Sequence, residues 1–169
     1  MTDLKTIGVI GAGQMGNGIA HVSALAGYDV VLSDISEDAL AHGMESIEGN
    51  MARQVGRGLI DQAEMQTALA RIKPTTVIKN HESAGFVIEA ATEKREVKEQ
   101  IFRSICEIVP PETYLATNTS SISITRLASV TDRPEKFIGL HFMNPVPLMK
   151  LVEVIRGLAT SQETYELAI

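Results

Sequence analysis

The sequence predicts an α/β fold built on a doubly wound, mostly parallel sheet. Short apolar segments alternate with longer helical ones along the chain, which is the pattern of strand–helix–strand units. A glycine-rich turn at residues 11–16 joins the first apolar segment to the first helical one. With 169 residues the chain is about one domain long, so a single sheet can bury its core.

The first half of the chain is predicted to contain three strands and a long helical excursion. The predicted elements are strands at 6–10, 29–33 and 75–78 and a helix at 14–26. Gly27 marks the end of that helix, as glycine commonly does. The excursion after strand two, residues 36–72, is longer than one crossover needs and is interrupted near 56–58. We therefore expect a pair of helices there that stands off the sheet.

The second half is predicted to contain four strands and two helices. In chain order these are a strand at 86–89, a helix at 94–109, a strand at 113–117, a helix at 122–129, and strands at 137–140 and 149–155. The apolar face of the first of these helices is predicted to consist of Val97, Ile101, Ile105 and Ile108. The last strand follows a short loop, so we expect it to be antiparallel to the strand before it.

The predicted domain ends shortly before the C-terminus of the given chain. We expect residues 1–158 to form one domain and residues 159–169 to form a linker and the start of a helix that opens at Thr160 or Ser161. The pattern shows no packing partners for that helix. We interpret it as the truncated start of an absent helical domain.

Composition and charge exclude several classes of partner. The net charge of −6 argues against nucleic acid or an anionic membrane. No stretch is apolar for about 18 residues, so no membrane span is predicted. Cys106 is the only cysteine, so no internal disulfide can form, and a cytoplasmic location is predicted. A phosphate-bearing ligand is compatible with this charge, because local backbone amides can bind it.

The glycine-rich turn, Gly-Ala-Gly-Gln-Met-Gly, matches the dinucleotide fingerprint of a Rossmann-type fold, since it follows an apolar strand and opens a helix. Gly11 permits the tight turn, Gly13 lets the backbone approach a pyrophosphate, and Gly16 lets helix and strand pack closely. Gln14 and Met15 begin the helix whose amides face the phosphates. An ordinary strand–turn–helix is the competing interpretation. The glycines alone do not separate NAD from FAD.

Asp34 favours NAD as the cofactor. It follows the second predicted strand, about 20 residues beyond the fingerprint, where a carboxylate can accept hydrogen bonds from both ribose hydroxyls. Its charge would repel the 2′-phosphate of NADP, with Glu37 nearby and no basic residue at 35–40. NAD is therefore predicted in preference to NADP.

A histidine and a carboxylate near the C-terminus are candidates for acid–base chemistry. His141 ends an apolar run, and Glu153 lies within the next one, where burial without a partner would be costly. A histidine oriented by a carboxylate is suited to proton transfer. A structural histidine and an outward-facing glutamate are the competing interpretations. A simple hairpin across residues 142–148 would place Glu153 opposite residue 137, so the two meet only through an irregular loop or splayed strands.

A polar turn, Asn-Thr-Ser-Ser at 118–121, follows the predicted strand at 113–117. Polar groups just past the carboxyl end of a strand line the ligand crevice of an open α/β sheet. Ser120 or Ser121 could instead cap the helix that follows.

These segments together resemble the L-3-hydroxyacyl-CoA dehydrogenases, a family that includes the bacterial 3-hydroxybutyryl-CoA dehydrogenases. The resemblance rests on the glycine fingerprint, the stretch 89–91 with Glu93 and Lys98, the turn 118–121 and the segment 141–153. It implies NAD-dependent oxidation of a 3-hydroxyacyl-CoA to a 3-ketoacyl-CoA. It also implies a homodimer formed mostly through the absent helical domain, so we expect this chain alone to bind NAD but to turn over poorly.

The resemblance also implies roles for single residues. His141 would be the general base, Glu153 would orient it, and Ser120 would hydrogen-bond the substrate oxygen. Asn144 is assigned to the substrate as well. Contacts with NAD are implied for Asp34, Glu93, Lys98 and Asn118.

Arg53 and Arg57 are four residues apart in the helical excursion and share a helix face. Two guanidinium groups there could bind the phosphates of CoA. A solvated basic edge is the competing interpretation.

Two other functions stay open: a catalytically silent NAD-binding module, and another Rossmann dehydrogenase acting on a 3-hydroxyacid. No metal site is predicted, because the histidines show no metal-ligand spacing with the cysteine. His21, His42 and His81 are interpreted as ordinary polar positions.

Overall fold

The computed structural model describes residues 4–169, which form one seven-stranded sheet flanked by helices. The strands are β1 Thr6–Ile10, β2 Asp29–Ser33, β3 Ile72–Thr75, β4 Phe86–Glu89, β5 Tyr114–Thr117, β6 Phe137–Phe142 and β7 Val152–Arg156. The helices are α1 Gln14–Leu25, α2 Glu37–Gly56, α3 Gln62–Arg71, α4 Arg95–Cys106, α5 Ile124–Ala128 and α6 Gln162–Ala168. Within these residues, none of the helices combines the length and the apolar character that a membrane span requires.

The strand order is β3-β2-β1-β4-β5-β6-β7, with β1 to β6 parallel and β7 antiparallel to β6. The direction of winding reverses between β1 and β4, where the carboxyl ends of the strands open a crevice for a ligand. The predicted class is therefore confirmed as a Rossmann-type α/β sheet. The helical pair after strand two, α2 and α3, and the antiparallel strand near the C-terminus are confirmed with it.

Hydrophobic residues cover both faces of the sheet. In β4, Phe86 and Ile88 belong to one buried cluster and Val87 to another. Successive side chains of a strand point to opposite faces, so the two clusters lie on opposite sides. Residues of α1, α2 and α3 complete the first cluster, and residues of α4 and α5 complete the second.

The predicted strand at 75–78 is wrong, because the third strand comes earlier. Ile72 pairs with Val30 of β2, and residues 78–81 form a 3₁₀ turn. Pro74 lies inside the strand. Proline cannot donate to a ladder, but β3 is the outermost strand of the sheet, where one unpaired side tolerates it.

The predicted apolar face of α4 is also wrong in part. Val97 is 41% exposed, whereas Lys98, Phe102 and Ile105 are buried. The buried face is rotated toward Lys98 because its ammonium pairs with a buried carboxylate of the sheet, Glu89. Periodicity of apolar residues alone therefore misplaced the face of this helix.

The last helix begins as predicted, with Ser161 as its cap, accepting from the backbone N–H of Thr164 at 3.0 Å. The predicted lack of packing partners is wrong. The Thr164 hydroxyl donates to the carbonyl of Glu135 at 2.7 Å, and the Thr160 hydroxyl donates to the carbonyl of Phe137 at 2.8 Å. These hydroxyls tie residues 160–164 to the start of β6, a long-range contact that local sequence patterns do not contain. The boundary at residue 158 stays a prediction.

Two histidines lie in the interior, so the interpretation of His21 and His81 as ordinary polar positions is wrong. His21 Nε2 is 2.9 Å from Gln54 Oε1 and joins α1 to α2. His81 Nε2 is 2.8 Å from Ser33 Oγ, at the end of β2. Burial lowers the pKa of His81 to about 4, so its ring is neutral at pH 7.

Candidate active site

The glycine-rich turn has the geometry of a phosphate cradle. Gly11 has a φ of 103°, and a Cβ on Gly16 would lie 1.7 Å from the Gly11 carbonyl oxygen, so the chain itself requires both glycines. A Cβ on Gly13 would meet nothing within 4 Å. Open space beside the second glycine, at the start of α1, fits a bound pyrophosphate, because helix-terminal N–H groups bind phosphate.

Asp34 lies beside this turn. Its carboxylate accepts hydrogen bonds from the backbone N–H groups of Ala12 at 2.9 Å and Ser36 at 3.0 Å. It also lines a cavity of about 460 Å³ with Ile35, which is 99% exposed, and Val97. Apolar walls beside an oriented carboxylate suit an adenosine, whose base is apolar on its faces and whose ribose offers hydroxyl donors.

His141 and Glu153 lie directly opposite each other on β6 and β7. His141 Nδ1 is 2.8 Å from Glu153 Oε2, with 23% and 54% of the two side chains exposed. The hairpin centres on residue 147, whereas a simple hairpin across 142–148 would centre on 145. The register of a simple hairpin, which would pair Glu153 with residue 137, is therefore not adopted, and of the two arrangements left open, an irregular loop and splayed strands, the structure has the irregular loop. The reason is that β6 extends to Phe142 and β7 begins only at Val152, so a nine-residue loop shifts the pairing.

The polar turn after β5 lies at the same edge of the sheet. Thr119 Oγ1 donates to Glu93 Oε2 at 2.8 Å, which brings two of the implied cofactor segments together. The competing interpretation, in which Ser120 or Ser121 caps the following helix, is wrong. Ser123 caps α5 by accepting from the backbone N–H of Arg126. Ser120 is exposed and therefore available to a ligand.

Lys98 has a partner that sequence reasoning missed. Its side chain is 2% exposed, and its ammonium donates to both carboxylate oxygens of Glu89 at 2.7 and 2.9 Å. Thr117 Oγ1 and the backbone N–H of Ala91 also donate to this carboxylate. The signal was available, since a glutamate ending a buried strand requires compensation. A contact between Lys98 and NAD stays a prediction.

Arg53 and Arg57 are exposed and line one cavity of about 240 Å³, together with Pro145 and Leu148 from the loop between β6 and β7. Asn144 lines a second cavity of about 450 Å³ that begins at the glycine turn. The two cavities share Asn50, Pro145 and Pro147, so they lie side by side along α2. The Asn144–Pro145 peptide bond is cis.

Within residues 4–169 no cluster of three or more potential metal ligands occurs.

Comparison with known proteins identifies relatives of the chain. It is 57% identical over 163 residues to the 3-hydroxybutyryl-CoA dehydrogenase of Bradyrhizobium diazoefficiens, covering 96% of this chain and 56% of that protein. It is 46% identical over 162 residues to the probable 3-hydroxybutyryl-CoA dehydrogenase of Bacillus subtilis, covering 96% and 56%. The chain thus spans about half the length of these relatives.

A solved structure is also similar to the chain. The crystal structure of (S)-3-hydroxybutyryl-CoA dehydrogenase PaaH1 from Ralstonia eutropha matches with a TM-score of 0.96 and 45% identity, covering 98% of this chain and 59% of that one. The family described as 3-hydroxyacyl-CoA dehydrogenase, NAD binding domain, matches residues 6–169. The predicted cofactor, NAD, is thereby confirmed at the level of the family. The chain belongs to the 3-hydroxyacyl-CoA dehydrogenase family, as its NAD-binding domain.

Proposed function

We propose that the protein oxidises an L-3-hydroxyacyl-CoA, such as 3-hydroxybutyryl-CoA, to the 3-ketoacyl-CoA with NAD. The observation that carries this proposal is the 2.8 Å contact between His141 and Glu153 at the sheet edge that also holds the glycine turn. The names of the relatives support the substrate class. A matched pair of base and carboxylate beside a dinucleotide cradle suits hydride chemistry.

The arrangement of His141 suits it to remove the hydroxyl proton. With Nδ1–H donated to Glu153, the lone pair of Nε2 is free to accept a proton from the substrate hydroxyl. Bound NAD would supply the hydride acceptor: its nicotinamide would take the hydrogen of C3 as hydride, and the C3–O bond would become a carbonyl once His141 has taken the hydroxyl proton. The imidazolium that forms is stabilised by the Glu153 carboxylate. Ser120 would donate to the substrate oxygen from the turn after β5.

Cofactor choice provides one test. We expect the chain to bind NADH at least 10-fold more tightly than NADPH, because the Asp34 carboxylate accepts from the ribose hydroxyls and repels a 2′-phosphate. Calorimetric titration with both cofactors measures the difference. Asp34→Ala should narrow it, whereas Glu48→Ala removes the same charge from an exposed position of α2 and should leave it unchanged. Equal or tighter binding of NADPH to the unmodified chain would refute the assignment.

A second candidate function is an NAD-binding module without turnover, since the family model that matches residues 6–169 describes an NAD binding domain. We expect the purified 169-residue chain to bind NADH but to reduce acetoacetyl-CoA slowly, because a second domain would exclude water and position the substrate. The comparison is with a form extended by that domain. Equal turnover by the two, with the short chain monomeric, would reject this candidate.

The arginine pair is proposed to bind the phosphates of CoA. Both arginines line the same cavity beside residues 145–148. In the extended form, Arg53→Ala and Arg57→Ala should each raise KM for acetoacetyl-CoA about 10-fold, as expected for one charge-assisted phosphate contact. KM for a pantetheine thioester that lacks the nucleotide phosphates should not change. Arg103→Ala, on an exposed part of α4, is the matched control. An equal change of KM for both substrates would support the competing interpretation, in which the two arginines form only a solvated basic edge.

A further inference from the structure

The end of β6 lacks a strand on one of its sides. β5 pairs with β6 only as far as Thr117, which pairs with Gly139, and the next backbone N–H, that of Asn118, points to the other side of β5, where it donates to the Glu89 carbonyl of β4 at 2.9 Å. β6 nevertheless continues for three more residues, to Phe142, and pairs with β7 on its other side. The residues around His141 are therefore held by a strand on only one side.

The Asn118 side chain occupies the position of the missing strand. Its Oδ1 accepts the backbone N–H of Phe142 at 2.9 Å, and the residue is only 8% exposed. Phe142 directly follows His141, whose imidazole is held by Glu153 on the β7 side. The base is thus restrained at two points, its ring by a carboxylate and its backbone by an amide oxygen. We call this second contact the Asn118 clamp.

The contact with Phe142 also determines which atom of the Asn118 amide is left to bind a ligand. Only the oxygen of an amide can accept an N–H, so the contact with Phe142 assigns Oδ1 to the protein. Within residues 4–169 the Nδ2 group of Asn118 makes no hydrogen bond. Its two N–H groups are therefore the part of the side chain that remains for a bound molecule, and that molecule must offer an acceptor there.

We propose that Asn118 is a positioning residue for His141, and that it presents amide donors, and no acceptor, to a carbonyl or hydroxyl oxygen of the bound cofactor. This inference deepens the proposed function and rests on it for the identity of the ligand. The clamp itself concerns the chain without ligand. One residue after β5 thereby couples the orientation of the base to the cofactor contact.

Two variants of Asn118 separate the two roles. Asn118→Asp keeps an oxygen for Phe142 and replaces the donors by an acceptor, whereas Asn118→Ala removes both. In the 169-residue chain, hydrogen exchange of the Phe142 amide should be at least 10-fold faster in the Ala variant than in the Asp variant. Nitrogen NMR of His141 should show the Nδ1–H tautomer alone in the Asp variant and a second tautomer in the Ala variant. Both variants should bind NADH at least 10-fold more weakly.

The control is Asn80→Ala, which removes an exposed amide elsewhere and should change neither the exchange of Phe142 nor the His141 tautomer. Unchanged exchange and an unchanged tautomer in Asn118→Ala would overturn the clamp. If that variant does not fold, loss of Phe142 protection in Asn118→Asp overturns it. Unchanged NADH affinity in Asn118→Asp would overturn the donor role. Failure of the unmodified chain to bind NADH would instead refute the proposed function, while the NMR measurements still decide the clamp.

Discussion

Replacing His141 by Gln should lower kcat of the extended enzyme by about 100-fold or more while NADH affinity changes little. Glutamine fills similar space but cannot take up the hydroxyl proton. Such a loss corresponds to about 2.7 kcal/mol of transition-state stabilisation, within the range of general base catalysis. Stopped-flow or steady-state reduction of acetoacetyl-CoA measures kcat, and calorimetry measures cofactor affinity.

Glu153→Gln should reduce kcat to a similar extent for a different reason. The glutamine amide oxygen can still accept a hydrogen bond from Nδ1–H of His141. The substitution, however, removes the negative charge that stabilises the imidazolium. Glu107→Gln, a neutralisation at an exposed position after α4, should leave kcat unchanged. Near-normal kcat in either the His141 or the Glu153 variant would show that its assigned role is wrong.

The largest stability effect is expected at the buried ion pair. Lys98→Met should lower the free energy of unfolding by about 3–5 kcal/mol, because it leaves the Glu89 carboxylate buried without its counter-charge. Urea unfolding measures the change. The double variant Lys98→Met/Glu89→Gln should recover at least half of it, since removing both charges also removes the cost of burying them.

Arg95→Met, at a 43% exposed ion-paired position of the same helix, should cost at most about 1 kcal/mol. A cost for Lys98→Met no larger than for Arg95→Met would contradict the account of a buried pair. The double variant also tests the implied cofactor contact. If it folds and has lost affinity for NADH, Lys98 contributes to binding. If affinity for NADH is retained, the Lys98–Glu89 pair contributes to stability and not to cofactor binding.

Much of the candidate active site could be located from sequence, because its residues lie at the ends of apolar strands. The order of strands and helices brings the glycine turn, Asp34 and the 118–121 turn to one edge of a parallel sheet without further information. The distance between His141 and Glu153 could not be predicted in this way. It depends on a nine-residue loop, which places Glu153 opposite His141, four residues beyond the position 137 that a simple hairpin would give.

The sequence also could not predict which side chains would contact each other in the folded protein. Lys98 lies outside the apolar face predicted for its helix, yet it is buried against Glu89. Ser120 was a candidate cap until Ser123 proved to occupy that position. In both cases several residues were chemically suitable, and only the three-dimensional arrangement selected one of them.

The sequence by itself determined the Rossmann-type class, the helical pair after strand two and the glycine-rich turn. These follow from local periodicity and from glycine and proline chemistry, which act within a few residues. Tertiary structure alone decided the pairing of β6 with β7, the burial of Lys98 and the Asn118 clamp on Phe142. Each of these joins residues 9 to 24 positions apart. At such separations the chain path and the burial of charge, which no local pattern specifies, determine which groups meet.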